Sequence, residues 1–123
     1  MLEDYELLFR GGNGSAVATV ESREGCIVPC ALWLITEKDE AALDCYEGYS
    51  HLYRKEMLPV QLGRRKLSVM AYVMNAGHKV AVPSMRYLRI ILDGYKDFGL
   101  DTAALDNALR KSLNSPAPYR LSD

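Results

Sequence analysis

Leu43-Asp44-Cys45-Tyr46-Glu47-Gly48-Tyr49-Ser50-His51-Leu52-Tyr53-Arg54-Lys55 is the stretch on which the reading of this chain turns, because a helical pattern enters it and a strand pattern leaves it. Just upstream, Thr36-Glu37-Lys38-Asp39 places a hydroxyl at an N-cap and an acid three residues on. That pairing satisfies two of the N–H groups a helix start leaves open. The helix runs on through Ala41, Ala42 and Leu43, and Gly48 is its expected stop. Leu43 marks the buried face. Asp44 and Glu47 are three apart and share a face near the C-terminal end. The helix dipole there disfavours negative charge and raises a carboxylate's pKa, which suits a general base working near neutral pH. The same pattern also fits an ordinary solvated acid.

Working outward, residues 5–9 form a short apolar run and Arg10-Gly11-Gly12-Asn13-Gly14-Ser15 reads as a turn. Small and β-branched residues alternate over 16–20, Arg23-Glu24-Gly25 reads as a second turn, and 27–35 is a longer apolar run containing Pro29 and Trp33. Glycine turns between such runs indicate antiparallel pairing. Downstream, strands are predicted over 53–62 and 67–74 around a turn at 63–66, with Pro59 marking an edge or a bulge. Pro83 and Ser84 signal a helix start, and Leu88, Ile91, Leu92 and Tyr95 recur at i, i+3, i+4 and i+7. Gly99 ends that helix. Asp101-Thr102 opens another, with Leu105 and Leu109 on one face. The expected fold is α+β: a small mixed or antiparallel barrel-like sheet, one inserted helix and C-terminal helices. One domain is expected over 1–114, followed by a loose tail over 115–123 that holds two prolines.

Composition narrows the function classes. Apolar residues make up 49% and charged residues 25% of the 123, an ordinary globular balance. A formal net charge of −1 gives no footprint for nucleic acid or an anionic membrane. The basic run Arg64-Arg65-Lys66 reads as a hairpin tip. No stretch approaches the roughly 20 apolar residues of a bilayer span, and Met1-Leu2-Glu3-Asp4 is acidic, unlike a signal peptide. Cys26, Cys30 and Cys45 are an odd set and read as buried free thiols of a cytoplasmic protein. His51 and His78 lie on polar loops, too few and too isolated for a zinc site with Cys26-x3-Cys30. No Walker loop, Rossmann fingerprint or Gly-x-Ser-x-Gly elbow occurs, and Gly11-Gly12-Asn13-Gly14 lacks the Lys-Ser/Thr pair of a phosphate loop. No metal or organic cofactor is expected.

Several short motifs in order carry a resemblance. They are Ala31-Leu32-Trp33-Leu34-Ile35-Thr36, Leu43-Asp44-x-x-Glu47-Gly48, Tyr53-Arg54-Lys55, Ala71-Tyr72-Val73-Met74, Pro83-Ser84-x-x-Tyr87-Leu88, Gly94-Tyr95 and Phe98-Gly99-Leu100. Together they resemble the γ-glutamylcyclotransferase family, including its AIG2-like members. The resemblance implies a small barrel around a cavity and cyclisation of a γ-glutamyl amide to 5-oxoproline with release of an amine. It implies Glu47 as the catalytic acid/base and Tyr53, Tyr72 and Tyr87 as substrate-binding residues in the cavity.

Members of that family begin with a strand ending in Tyr-Gly-Ser-Asn, which this chain does not contain; it opens where the family's second strand is expected. An edge beside residues 5–9 is therefore expected to lie open and to be covered by a second copy in a homo-oligomer. The other reading is a non-catalytic ligand-binding or assembly protein of the same fold.

Overall fold

Alternating apolar residues and glycine turns build two antiparallel hairpins that face each other across the first core. The structure is a computed structural model that describes residues 1–47 and 51–114, with Glu47 described by its backbone alone. Its elements are β1 (Leu2–Arg10), β2 (Val17–Val28), α1 (Glu37–Glu47), β3 (Tyr53–Leu62), β4 (Arg65–Met74), α2 (Met85–Asp97) and α3 (Ala103–Leu113). The class is α+β, as the sequence indicates. The expected tail over 115–123 and the helix stop at Gly48 lie outside the described residues.

β1 and β2 pair from Leu2↔Val28 to Arg10↔Val17. The turn expected at 23–25 is instead a bulge inside one strand. Glu3 faces Ile27 and Tyr5 faces Ser22, so residues 23–26 oppose Asp4 alone. Gly25 sits at φ 85° and Asp4 at φ 62°, and the Gly25 N–H donates to the Asp4 carboxylate at 3.0 Å. Glycine makes this excursion cheap, and the strand resumes beyond it. The longer strand expected over 27–35 does not form. β2 stops at Val28, and residues 29–36 join no ladder. Pro29 has no N–H to donate, which breaks the pairing where it would have continued. Trp33 in this segment stacks edge-on against Phe98, ring centroids 5.5 Å apart.

β3 and β4 pair without interruption from Tyr53↔Met74 to Leu62↔Arg65. Gly63 takes φ 61° in the two-residue connection. Pro59 sits opposite Ser68 with no bulge; β3 belongs to a two-stranded sheet, so the proline's missing N–H faces no ladder. Hydrogen bonds join the hairpins. The Met1 amine donates to the Gln61 carbonyl at 2.7 Å, the Gln61 N–H returns to the Met1 carbonyl at 2.8 Å, and the Met74 N–H donates to the buried Thr19 hydroxyl at 2.9 Å. Leu2, Val28, Leu58, Val60 and Val73 fill the space between.

A second core lies at the end of β1. Phe9, Ala16, Ala81, Leu105 and Ala108 form it, with Tyr87, Leu88, Ile91, Leu92 and Tyr95 of α2 against them. The Ser84 hydroxyl caps α2 by accepting from the Tyr87 N–H at 3.1 Å, and Gly99 at φ 62° follows its end. Two expectations change here. The first strand begins at Leu2, not at residue 5. Its outer edge is covered near its end by 79–81, through Gly11 N–H to the Lys79 carbonyl at 2.9 Å and Ala81 N–H to the Phe9 carbonyl at 3.0 Å. Of the edge expected to lie open beside residues 5–9, the Phe9 end is thus met within the chain. Cys26 and Cys30 are half-buried and Cys45 is exposed, so the three thiols are not the buried set expected. Among the described residues, no helix is long and apolar enough to cross a membrane.

Candidate functional site

α1 starts as its sequence dictates. The Asp39 N–H donates to the Thr36 hydroxyl and the Thr36 N–H to the Asp39 carboxylate, each at 3.1 Å, a reciprocal cap. One face of the helix is then acidic: Glu40 and Asp44 stand at i and i+4. Across from them, Lys55 and Tyr72 are direct partners in the β3–β4 ladder and share one face of the hairpin. The two pairs meet. Lys55 Nζ lies 2.5 Å from Glu40 Oε2 and 2.9 Å from Asp44 Oδ1. The Tyr72 hydroxyl donates to Asp44 Oδ1 at 2.5 Å. Two turns of the helix are thereby fixed to two strands.

This geometry sets the protonation of its members. The Tyr72 hydrogen bond, and then Lys55, hold the Asp44 carboxyl below its ordinary value, against the opposing effect of desolvation. Lys55 is raised well above its ordinary value by its hydrogen bonds to Glu40 and Asp44. Desolvation and the bond to Asp44 push Tyr72 up to about 12. At neutral pH Asp44 is ionised and engaged, Lys55 is charged, and Tyr72 is a neutral phenol whose one hydrogen is committed. Asp44 is therefore an anchor and a poor proton acceptor. The next acid along the helix is Glu47, the last residue of α1. Its side chain lies outside the described residues, as do Gly48 and Tyr49.

The other two tyrosines meet at a different point. The Tyr53 hydroxyl donates to the Ala18 carbonyl at 2.8 Å, and the Ala18 N–H donates to the Tyr87 hydroxyl at 3.1 Å. One peptide position of β2 thus holds both phenols, and Tyr87 is further fixed edge-on against Phe9 with ring centroids 6.4 Å apart. The three tyrosines singled out in the sequence therefore fall into two places: Tyr53 and Tyr87 on Ala18, and Tyr72 on Asp44.

Two spaces adjoin Tyr72. One is an open groove of about 850 Å³ between residues 31–35, α1 and β4, with Leu43 and Met70 in its walls. The other, of about 260 Å³, lies between the hairpins beside Leu7, Thr19 and Leu58. Among the described residues, no three His, Cys, Asp or Glu side chains gather in a metal-binding group. Sequence reading found Asp44 and Tyr72 but missed Glu40 and Lys55 as their partners. The i, i+4 acids were legible; their convergence on Lys55 required knowing which face of the hairpin turns to the helix.

The model of the family described as gamma-glutamyl cyclotransferase, AIG2-like, matches residues 1–90, which span β1 through β4 and the start of α2. No curated protein and no solved structure matches the chain significantly.

Proposed function

The chain belongs to the AIG2-like gamma-glutamyl cyclotransferase family, and from that premise we propose that it cyclises a γ-glutamyl amide to 5-oxoproline, with Glu47 moving the proton. The observation that carries this reading is the engagement of Asp44 by Tyr72 and Lys55. Of the two acids in Leu43-Asp44-x-x-Glu47, one is spent as an anchor, and the proton-transfer role falls to Glu47.

The reaction asks little of the protein. The substrate's own α-amine attacks the γ-carbonyl carbon, a C–N bond closes the five-membered lactam, and the original amide C–N bond breaks to release the amine. Holding an intramolecular nucleophile in line supplies effective concentrations of about 10⁵–10⁸ M. What remains is to take a proton from the ammonium and give one to the leaving nitrogen, which one carboxylate does in turn. Tyr72 has given its hydrogen to Asp44, so toward substrate it accepts, which suits it to an ammonium N–H. Tyr53 and Tyr87, paired on Ala18, are proposed as the other substrate-binding residues. No step calls for a cofactor.

The test is release of 5-oxoproline from a γ-glutamyl amide by the purified protein and by Glu47→Gln. The glutamine keeps the shape and cannot take the proton, so turnover is expected to fall by roughly 10²–10⁴ with the fold intact. Near-normal turnover in a folded Glu47→Gln protein overturns the assignment.

A further inference from the structure

We propose that the trough between residues 30–35 and β4 is a docking slot for one extended strand of another polypeptide. That strand is apolar at every second residue and carries a lysine or arginine at its α1 end. The inference stands on backbone pairing and does not depend on the cyclotransferase reading.

Strand register says which backbone groups are open. Leu62↔Arg65 closes the two-residue turn at Gly63-Arg64, which makes it a hydrogen-bonded pair of the ladder. At the far end the Asn75 N–H donates to the Leu52 carbonyl at 2.9 Å, in step with the same alternation. The even-numbered residues of β4 therefore aim their N–H and C=O groups away from β3. At Met74 both groups are taken: the N–H donates to the Thr19 hydroxyl at 2.9 Å, and the carbonyl accepts from Arg54 at 2.8 Å. Tyr72, Met70 and Ser68 point the same way, and among the described residues no backbone pairs with them. Across the trough, the backbone of 30–35 likewise bonds to no other element among the described residues.

An open edge is a template for a further strand, and here two of them flank one space. The groove of about 850 Å³ and the space of about 260 Å³ share Ala31, Leu32, Val69, Met70 and Tyr72 in their walls. They form one trough, from α1 to the gap between the hairpins. A small molecule satisfies a rung or two of such walls. An extended peptide, with its donors and acceptors turning alternately to either side, matches both. A second copy of this fold has no such strand to give. Each of its four strands already has a partner on one side, and a slot with an edge on both walls admits a strand free on both sides.

Wall chemistry sets the occupant's sequence. Leu7, Val20, Leu58 and Val60 lie at the inner end, so the side chains facing them are apolar. At the α1 end the lining acids are Asp39 and Glu40, and among the described residues no lysine, arginine or histidine lines the groove. Lys55 is shared by Glu40 and Asp44, which leaves that end negative. A cation on the incoming strand is its complement. Trp33 and Leu34, both exposed, line the same end.

The probe is the peptide acetyl-Lys-Val-Thr-Val-Thr-Val-Lys-amide, whose two lysines place one at α1 in either direction. It is compared with the same peptide N-methylated on its three valines, whose N–H groups all face one wall, and with a version carrying glutamate for both lysines. Trp33 emission reads affinity, and hydrogen exchange of the protein reads location. The lysine peptide is expected to give a saturable change in emission and slower exchange at 30–35, Met70 and Tyr72. N-methylation is expected to weaken it by roughly tenfold or more, and the glutamate exchange several-fold. Met70→Pro removes one outward donor, as Pro59 does on β3 without breaking the ladder. With its dichroism unchanged, this variant is expected to bind the lysine peptide several-fold more weakly. No saturable response at roughly millimolar peptide, or equal binding of the N-methylated form, overturns the proposal. So does a self-associated protein, by light scattering, in which the same amides are already protected.

Discussion

Tyr72 ties the hairpin to the helix through its hydrogen bond to Asp44. The Asp44 carboxyl is depressed from an ordinary value of 3.8, chiefly by the Tyr72 hydroxyl. A group depressed in the native state contributes stability above its unfolded pKa and loses it as pH falls through the native one. Lys55 and Tyr72 are raised from 10.5 and 10.0 respectively. Their contributions are complete below those values and are lost as pH rises beyond them, for Tyr72 on the way to about 12. Stability is therefore expected to be level near neutrality and to decline below roughly pH 4 and above roughly pH 10. Urea midpoints at about pH 3, 7 and 10.5 check this, and Tyr72→Phe, which removes both the phenol's titration and the main cause of the Asp44 shift, is expected to flatten both declines. A variant with the same pH profile as the wild type would show that the network does not couple to folding. Lys55→Met has a second consequence. It leaves Glu40 and Asp44 facing each other one turn apart without a cation, so turnover is expected to fall by lowered kcat as α1 loses its seat, and Lys55→Arg to restore part of it.

At the level of elements, backbone signals in the sequence were read well where they were local and less well where they depended on pairing. The Thr36–Asp39 cap, the Ser84 start and the 88–95 periodicity each concern one helix, and each element appears where its residues place it. Arg23-Glu24-Gly25 has the composition of a turn but serves as a bulge, because Asp4 across the ladder accepts the Gly25 N–H; no reading of 23–25 alone contains Asp4. Residues 27–35 are apolar enough for a strand, yet Pro29 removes the donor at the point where β2 would extend. Within the site, Asp44 and Tyr72 were legible individually, and the Lys55 contact was not, since strand register decides which side chains cross to α1. The two kinds of glycine yield opposite expectations. Gly25→Ala, at φ 85°, is expected to destabilise by about 1 kcal/mol because alanine resists that conformation. Gly94 lies within α2, and a Cβ there meets nothing within 4 Å. Gly94→Ala is therefore expected to stabilise by roughly 0.5–1 kcal/mol. Denaturant midpoints of the two variants at neutral pH measure both.

The whole molecule stands on two cores that share β1, one between the hairpins and one under the terminal helices. Leu105 is fully buried in the second, where α3 meets β1. Leu105→Ala is expected to cost about 2–5 kcal/mol, the range for a leucine deleted from a packed interior, with a loss near zero indicating that α3 is dispensable to the fold. The distribution of aromatic residues has an optical corollary. The chain has one tryptophan, Trp33, and it belongs to neither core: it is 72% exposed and rests on Phe98 beside the groove. Its fluorescence therefore watches one surface strip. In a urea titration the emission is expected to change before the far-ultraviolet dichroism does, because a segment outside the ladders opens locally at lower cost than the cores. The two curves will then separate even where the cores unfold cooperatively, and the same lone fluorophore offers a built-in sensor of whatever enters the groove.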